Sequence, residues 1–237
     1  MAVAQWLWRG RAVKLVDGTG SSMPDTQENQ AVYPQPSTQA SGVGFPQARL
    51  VMVICLATGG ALDMAVGPHS GKGTGELALV RPLLRSFCPG DVMLADALYC
   101  NYFLIATLMG AGVDVLFEQN GSRITDFRRG QSLGARDHIV RWRKPAARPE
   151  WMTPEQYAGY PDELTVREAR VDHQVLVTTK DCGRLFTLIA QCWVGNRPGR
   201  VEPRMRKLRP KSHPWLAIPR AQARRKIERH GHAWETK

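Results

Sequence analysis

The sequence lacks the features that mark secreted, membrane-spanning and zinc-binding proteins. No run of about 18 apolar residues occurs, so we predict no transmembrane helix. The first ten residues have a short apolar run that meets charge too soon for a secretory signal. The five cysteines form no CxxC pair and no Cys/His cluster at zinc spacing. We therefore expect a cytoplasmic protein with no membrane partner and with reduced, mostly buried thiols.

Acidic residues are scarce in the last quarter of the chain. Residues 182–237 hold 14 lysines and arginines against 3 acids, a charge of +11, whereas residues 1–181 hold 18 of each sign. The whole net charge of +11 therefore belongs to this tail. A basic tail is typical of nucleic-acid binding, although the same composition also fits a solvated end that keeps a protein soluble.

The first half of the chain predicts three strands followed by alternating helices and strands. Residues 18–47 are rich in Gly, Ser, Pro, Gln and Asn without periodicity, which predicts a long loop. An antiparallel three-strand start followed by helix-linked parallel strands is what an RNase H-like α/β core would give. We expect strands at 12–16, 48–57, 61–66, 92–95 and 113–117, a helix from residue 75 and a helix at 100–109.

The pattern of predicted elements changes after residue 119. Strand-like pieces at 137–143, 163–171 and 174–179 are separated by turns and prolines, which predicts an antiparallel β insertion. Prolines interrupt the basic residues that follow. We therefore divide the chain into the first part of an α/β core (1–119), a β-rich insertion (120–181) and a basic, irregular C-terminal tail (182–237).

Asp17 and Asp96 are the main candidates for a metal site. Each follows a short apolar segment, and neighbouring strands would bring the two carboxylates together. Oxygen ligands suit Mg²⁺, and two such ions can activate the attacking oxygen and stabilise the leaving one in phosphodiester chemistry. Taken singly, Asp-Gly is an ordinary turn and an Asp after a strand is a common helix N-cap. As a pair in this strand order, the aspartates favour the functional interpretation.

Several long strings resemble the insertion-sequence-four family of DDE transposases, and the resemblance covers nearly the whole chain. The strings are Lys14-Leu-Val-Asp17-Gly-Thr, Met23-Pro-Asp-Thr-Gln-Glu-Asn-Gln30, Ser70-Gly-Lys-Gly-Thr-Gly-Glu76, Pro89-Gly-Asp-Val-Met-Leu-Ala-Asp96, Thr125-Asp-Phe-Arg-Arg-Gly130, Leu164-Thr-Val-Arg-Glu168 and Gly195-Asn-Arg-Pro-Gly-Arg200.

This resemblance implies an RNase H-like catalytic domain with Asp17 as the first metal aspartate and Asp96 as the second. It implies Mg²⁺, with Mn²⁺ as a substitute, and hydrolysis and strand transfer at the terminal inverted repeats of a mobile element. The expected partners are DNA and a second copy of the chain or an intact transposase, in the bacterial nucleoid. The DNA-binding candidates are Arg123, Arg128, Arg129, Arg204, Arg206, Lys207, Arg209 and Lys211.

Three departures from the family pattern predict a defective remnant. Ala97 stands where the family commonly has an arginine directly after the second aspartate. The family's third acid is a Glu in the motif Tyr-x₂-Arg-x₃-Glu-x₆-Lys, and no Tyr follows Tyr160 here. The family's N-terminal DNA-binding helices have no counterpart either. We therefore predict an N-terminally truncated, internally deleted transposase with little or no transposition activity of its own.

Two other functions stay open. The basic tail is equally consistent with a non-enzymatic DNA-binding inhibitor or partner of an intact transposase. In the third interpretation, the chain is an intact nuclease of another family in which Glu118, at the end of the fifth strand, or a glutamate of the tail completes the site.

Overall fold

A nine-stranded mixed sheet organises the residues that the computed structural model describes, which are 7–171 and 174–179. The spatial order of the strands is β3-β2-β1-β4-β5-β9-β8-β7-β6. The strands are β1 Val13–Ser22, β2 Gln47–Cys55, β3 Ala61–Pro68, β4 Val92–Ala95, β5 Asp114–Glu118, β6 Gln131–Gly134, β7 Asp137–Arg143, β8 Glu163–Val171 and β9 Gln174–Thr178. The helices are α1 Gln27–Val32, α2 Glu76–Leu83 with a 3₁₀ turn at Leu84–Ser86, α3 Tyr102–Gly110 and α4 Pro154–Gly159.

The centre of the sheet is parallel and both flanks are antiparallel. β4 pairs in parallel with β1 on one side and with β5 on the other. β1, β2 and β3 form the antiparallel flank that the Gly-containing turns predict. This mixed α/β arrangement confirms the strand and helix order expected from the pattern of apolar residues.

The expected loop at 18–47 is wrong at both of its ends and in its middle. β1 continues to Ser22 because it pairs with β2 all the way to Ser22↔Gln47, so the ladder overrides the weak strand propensity of Gly and Ser. Asp17 therefore lies within β1 rather than at its end. Within the remaining segment, Thr26 caps the short helix α1 by accepting a hydrogen bond from the Asn29 backbone N–H.

Apolar residues cover both faces of the sheet, and the helices α2 and α3 pack on one of them. Val16, Met93, Ala95, Val115 and Phe117 face these helices and form the larger core. α3 is buried nearly all round, which is why its sequence is apolar on every side. The opposite face carries a smaller cluster, with Val13, Val92, Leu94, Leu116, Ala169 and Leu176 as its buried members.

The β-rich segment after β5 continues the same sheet. β9 pairs antiparallel with β5, and β8, β7 and β6 follow outwards. Within this segment, the structure adds two elements that the sequence did not predict, β6 and α4. Thr153 and Gln156 form a reciprocal capping box at the start of α4, a signature that was present in the sequence.

Two ion pairs hold the entry ends of the central strands together. Lys14 Nζ lies 2.5 Å from Asp91 Oδ2, and both residues are buried. Asp91 also accepts a hydrogen bond from the Cys88 backbone N–H. Beside this pair, Arg11 forms an ion pair with Asp114 at the start of β5. Charges thus fix the register at one end of β1, β4 and β5, while the sequence-predicted carboxylates lie at the other.

The remaining expectations concern membrane helices, the cysteines and the C-terminal tail. No helix in the described part of the chain is long and apolar enough to cross a membrane. Cys55 and Cys100 are buried thiols as expected, but Cys88 is exposed. The tail from residue 182, with its expected irregular structure, lies outside the described residues.

We predict that Asp91→Ala strongly destabilises the fold, because it removes the only carboxylate that pairs with the buried Lys14 ammonium in the described part of the chain and leaves it with the Ser86 carbonyl. The expected loss is about 3–5 kcal/mol in the free energy of unfolding, measured by urea denaturation. Glu150→Ala is the matched control, because it breaks the Lys72–Glu150 pair, whose side chains are 88% and 81% exposed. That control should leave the urea midpoint unchanged, and equal midpoints for both variants would contradict the prediction.

Candidate functional site

Asp17 lies within β1, and Asp96 directly follows β4, the parallel neighbour of β1. The parallel pairing of β1 with β4 reaches Leu15↔Leu94, and the two aspartates follow two residues later on each strand. Adjacent strands are about 4.8 Å apart, and residues two apart share a face of a sheet. Leu94 and Leu15 belong to the smaller apolar cluster, so the aspartates leave the sheet at the edge of that face. The sequence could state the adjacency of these two strands only as a condition, and the strands are indeed neighbours.

Each aspartate uses one oxygen to fix its own position. Asp17 Oδ1 accepts a hydrogen bond of 2.8 Å from the Gly18 N–H, and Asp96 Oδ1 accepts one of 2.9 Å from the Leu98 N–H. Within the described part of the chain, no hydrogen bond reaches the Oδ2 atom of either residue. Asp17 is exposed and Asp96 is half-buried, so both second oxygens are available to a ligand from solution.

Glu118 lies on the next strand at the same level. The β4–β5 register ends at Ala95↔Phe117, so Glu118 follows Phe117 as Asp96 follows Ala95. Glu118 also pairs with Leu176 of β9, a member of the smaller apolar cluster. Three neighbouring strands thus carry an acid at one level, in the order Asp17, Asp96, Glu118.

Sequence reasoning missed a further carboxylate, Glu76 at the start of α2. Tyr99 is fully buried, and its hydroxyl donates a hydrogen bond of 3.1 Å to Glu76 Oε2. Burial raises the pKa of Tyr99 far above its ordinary value, and the charges of Glu76, Asp96 and Asp17 raise it further. The charges of all three carboxylates therefore act on the Tyr99 phenol. The available signal was Gly18, since a glycine inside a strand often marks close approach by another group.

Gly18 makes room for the Glu76 carboxyl group. A Cβ atom at Gly18 would lie 2.2 Å from Glu76 Cδ, far inside contact distance. The glycine of the Asp17-Gly18 pair is thus explained by packing against α2 rather than by a turn, because β1 runs straight through it.

Asp17 and Asp96 provide carboxylate oxygens as the candidate metal ligands. Carboxylate oxygens are the ligands that Mg²⁺ prefers, and the ion usually completes its shell with water and substrate phosphates. Among residues 7–171 and 174–179, no group of three or more His, Cys, Asp or Glu side chains is arranged to hold a metal ion.

An arginine-rich loop borders the turn after Asp96. We call residues 119–130 the arginine loop. Asn120 Nδ2 donates a hydrogen bond of 3.4 Å to the Ala97 carbonyl and so ties the loop to that turn. Arg128 and Arg129 both pair with Asp126, and their side chains are 90% and 81% exposed. The hydrogen bond from Arg128 lowers the pKa of Asp126 to about 2.

Arg123 differs from the other two arginines because its side chain is less exposed, at 39%. Its guanidinium lies 3.7 Å from the ring centroid of Trp142 and, at Nε, 3.7 Å from Glu168 Oε1. Burial lowers the pKa of Arg123, and the Glu168 charge opposes that change. The sequence-predicted Arg204, Arg206, Lys207, Arg209 and Lys211 lie outside the described residues.

Comparisons with known proteins point to a distant likeness. No protein-family model matches the chain, and no curated protein sequence matches it. The chain is similar to the chain of a solved structure, the piggyBac transposase in a synaptic complex with hairpin DNA, at 10% identity and a TM-score of 0.39. The overlap covers 72% of this chain and 33% of the other, so this chain spans about a third of that transposase. At that TM-score the likeness establishes neither a shared fold nor a shared function.

We predict that Gly18→Ala displaces the Glu76 side chain and breaks its hydrogen bond from Tyr99. The expected cost is about 1.5–3 kcal/mol in the free energy of unfolding, the value of one hydrogen bond to a charged group. Gly121→Ala is the control, since its Cβ would meet nothing within 4 Å. Urea denaturation of both variants tests this, and a Gly18→Ala protein as stable as the control would refute the close approach.

Proposed function

We propose that this chain is a DNA-acting protein related to insertion-sequence-four DDE transposases, with Asp17 and Asp96 as ligands of a magnesium ion in an RNase H-like core. The observation that supports the proposal is the parallel pairing of β1 with β4, because Asp17 and Asp96 each come two residues after its last registered pair, Leu15↔Leu94. Each keeps one carboxylate oxygen to which no described residue donates a hydrogen bond. The family strings around both residues support the same assignment.

The metal would supply charge stabilisation for phosphodiester hydrolysis and lower the pKa of a bound water. The chain's own residues would hold it and present the substrate. Asp17 and Asp96 would bind through their second oxygens, and the arginine loop would contact the phosphate backbone beside them. The substrate we propose is DNA at the ends of a mobile element.

The site we propose is a weakened one. The family's third acid is absent from its expected motif, and Ala97 replaces the arginine that commonly follows the second aspartate. Glu118 is the nearest substitute by strand register, one strand beyond Asp96. We therefore propose metal-dependent nicking without complete excision and strand transfer.

We predict that the chain nicks supercoiled DNA slowly with Mg²⁺ or Mn²⁺, and that Asp17→Asn and Asp96→Asn each reduce nicking to background. Asp162→Asn, at a side chain that is 92% exposed, is the control and should nick at the original rate. Circular dichroism confirms that each variant is folded. Glu118→Gln tests whether Glu118 of β5 contributes a metal ligand.

Two outcomes would contradict this proposal. Nicking that survives in both aspartate variants would assign the activity to another site or to a contaminant. Recovery of an excised element from cells that express only this chain would show that the site is complete rather than weakened.

A second candidate function is DNA binding without catalysis, as an inhibitor or partner of an intact transposase. The exposure of Arg128 and Arg129 on the arginine loop favours it, because guanidinium groups in solvent can pair with phosphates. The basic tail adds positive charge for the same purpose. This candidate requires no metal.

We predict that Arg128→Ala combined with Arg129→Ala flattens the salt dependence of DNA binding. The slope of log affinity against log salt should fall by about 0.9 for each phosphate of duplex DNA that the protein no longer neutralises. Arg143→Ala is the control, because Arg143 is equally exposed but lies on β7 outside the loop. Fluorescence anisotropy at several salt concentrations measures the slope. An equal fall of the slope in the double variant and in the Arg143→Ala control would show that the loop does not contact DNA.

A further inference from the structure

The hydrogen-bond ladder between β1 and β4 stops short of the two candidate metal ligands. Its last registered pair is Leu15↔Leu94, two residues before Asp17 on one strand and two residues before Asp96 on the other. Beyond that pair, β1 continues in its pairing with β2, whereas the chain after β4 enters a turn at 97–99. The main-chain pairing of β1 with β4 therefore leaves the spacing of the two carboxylates to other contacts.

Tyr99 fixes the turn that carries Asp96. Its side chain is fully buried, and its backbone N–H donates a hydrogen bond of 3.3 Å to the Asp96 carbonyl oxygen. On the same turn, the Leu98 N–H donates a hydrogen bond of 2.9 Å to Asp96 Oδ1. The direction of the Asp96 carboxylate therefore follows the position of this turn, and the buried Tyr99 ring holds the turn in place.

Glu76, at the start of α2, joins Tyr99 to the strand of Asp17. Its Oε2 atom accepts a hydrogen bond of 3.1 Å from the Tyr99 hydroxyl. The same carboxyl group packs against Gly18, where a Cβ atom would lie 2.2 Å from Glu76 Cδ. Gly18 directly follows Asp17 and donates its N–H to Asp17 Oδ1. One carboxyl group thus contacts both the residue that orients Asp17 and the side chain that fixes the turn of Asp96.

Glu76 acts from the face of the sheet opposite to the Asp17 carboxylate. Residues two apart share a face of a strand, so Gly18 lies with Val16 on the face that α2 covers. Asp17 lies with Leu15 on the other face, beside the smaller apolar cluster. The sheet therefore lies between Glu76 and the Asp17 carboxylate, which makes Glu76 a support for this residue rather than a third ligand.

We propose that Glu76 and Tyr99 are positioning residues that together form a bridge, and that this bridge sets the spacing of the Asp17 and Asp96 carboxylates. The proposal rests on the proposed function in one respect, because it takes those carboxylates as metal ligands. The bridge replaces the missing last step of the β1–β4 ladder. When it is opened, the turn after Asp96 moves independently of β1, and the two carboxylates no longer keep the separation that one ion requires.

Matched substitutions separate the bridge from general support of the core. Tyr99→Phe removes the hydroxyl and keeps the buried ring, so it opens the bridge with little change in packing. Tyr102→Phe is the control, because Tyr102 is also buried and loses one hydroxyl hydrogen bond, which it donates to the Pro161 carbonyl. At Glu76, glutamine keeps a carbonyl oxygen that accepts from the Tyr99 hydroxyl, whereas alanine removes the acceptor.

The Mn²⁺ affinity of the intact chain, measured by electron paramagnetic resonance with the ion alone, is the first readout. Changing a residue that orients metal ligands costs about 10–100-fold in affinity, so we expect a fall of about ten-fold in Tyr99→Phe and in Glu76→Ala. Glu76→Gln should recover most of that affinity, and Tyr102→Phe should bind as the wild type does. Asp17→Asn gives the background from binding elsewhere on the chain.

The amide protection factors of Gly18 and Leu98 are the second readout and need no metal. These two N–H groups donate to the Oδ1 atoms of Asp17 and Asp96, so their exchange with solvent reports how firmly each carboxylate is held. Hydrogen exchange followed by NMR should show lower protection of both amides in Tyr99→Phe than in the wild type. Tyr102→Phe should keep the wild-type protection at both positions.

Three outcomes would overturn the bridge. The first is wild-type affinity and protection in Tyr99→Phe. The second is an equal loss in Tyr102→Phe, which would reduce the effect to a general loosening of the core. The third is an equal loss of affinity in Glu76→Gln and Glu76→Ala, which would assign the effect to the Glu76 charge.

Failure of the proposed function would be recognised separately. If the wild type and Asp17→Asn bind Mn²⁺ equally, the proposed metal site fails, and the protection factors alone decide on the bridge. A loss of protection in Tyr99→Phe that Tyr102→Phe does not share would then support the bridge. Equal protection in the wild type and Tyr99→Phe would overturn it.

Discussion

The parallel pairing of β1, β4 and β5 is the constraint on which the rest of the structure depends. Charged residues fix its register at the entry ends, through Lys14 with Asp91 and Arg11 with Asp114. A shift of one residue in any of these strands would turn every side chain to the opposite face and disrupt these ion pairs. Because the entry ends are fixed, Asp17, Asp96 and Glu118 reach the same level at the other end. The geometry of the acids is therefore a consequence of how the core is held together.

Glycine and buried charge shape the surroundings of these acids. Gly18 lets the Glu76 carboxyl group approach the sheet, where the Tyr99 hydroxyl holds it. On the other side, Glu168 holds the arginine loop against β7 and β8. Both arrangements place a negative side chain in a partly or fully buried position, which costs desolvation energy. Each is offset by donors that come from distant parts of the chain, so each couples separate segments around the candidate site.

The sequence predicted the strand and helix order of the core well, because those elements are encoded by local patterns. The apolar runs in β2, β4 and β5 and the apolar face of α2 carry their own signals. The prediction failed where pairing overrides propensity, as in the extension of β1 through Gly18 and Gly20 to Ser22. The contact between His138 and Glu168 could not be predicted either, because nothing local indicates that a residue 30 positions later is the partner of His138.

By itself, the sequence determined the elements, the basic charge and the identity of the two leading acids. Asp17 and Asp96 were candidates from their strand context and family strings alone. Only the tertiary structure decided that β1 and β4, which lead to these aspartates, are neighbours, that Glu76 packs against Gly18, and that the buried Glu168 contacts the arginine loop. The physical reason is that helices and strands follow from contacts over a few residues. Carboxylates 79 positions apart meet only through the register of a sheet, which is set by packing and ion pairs between strands.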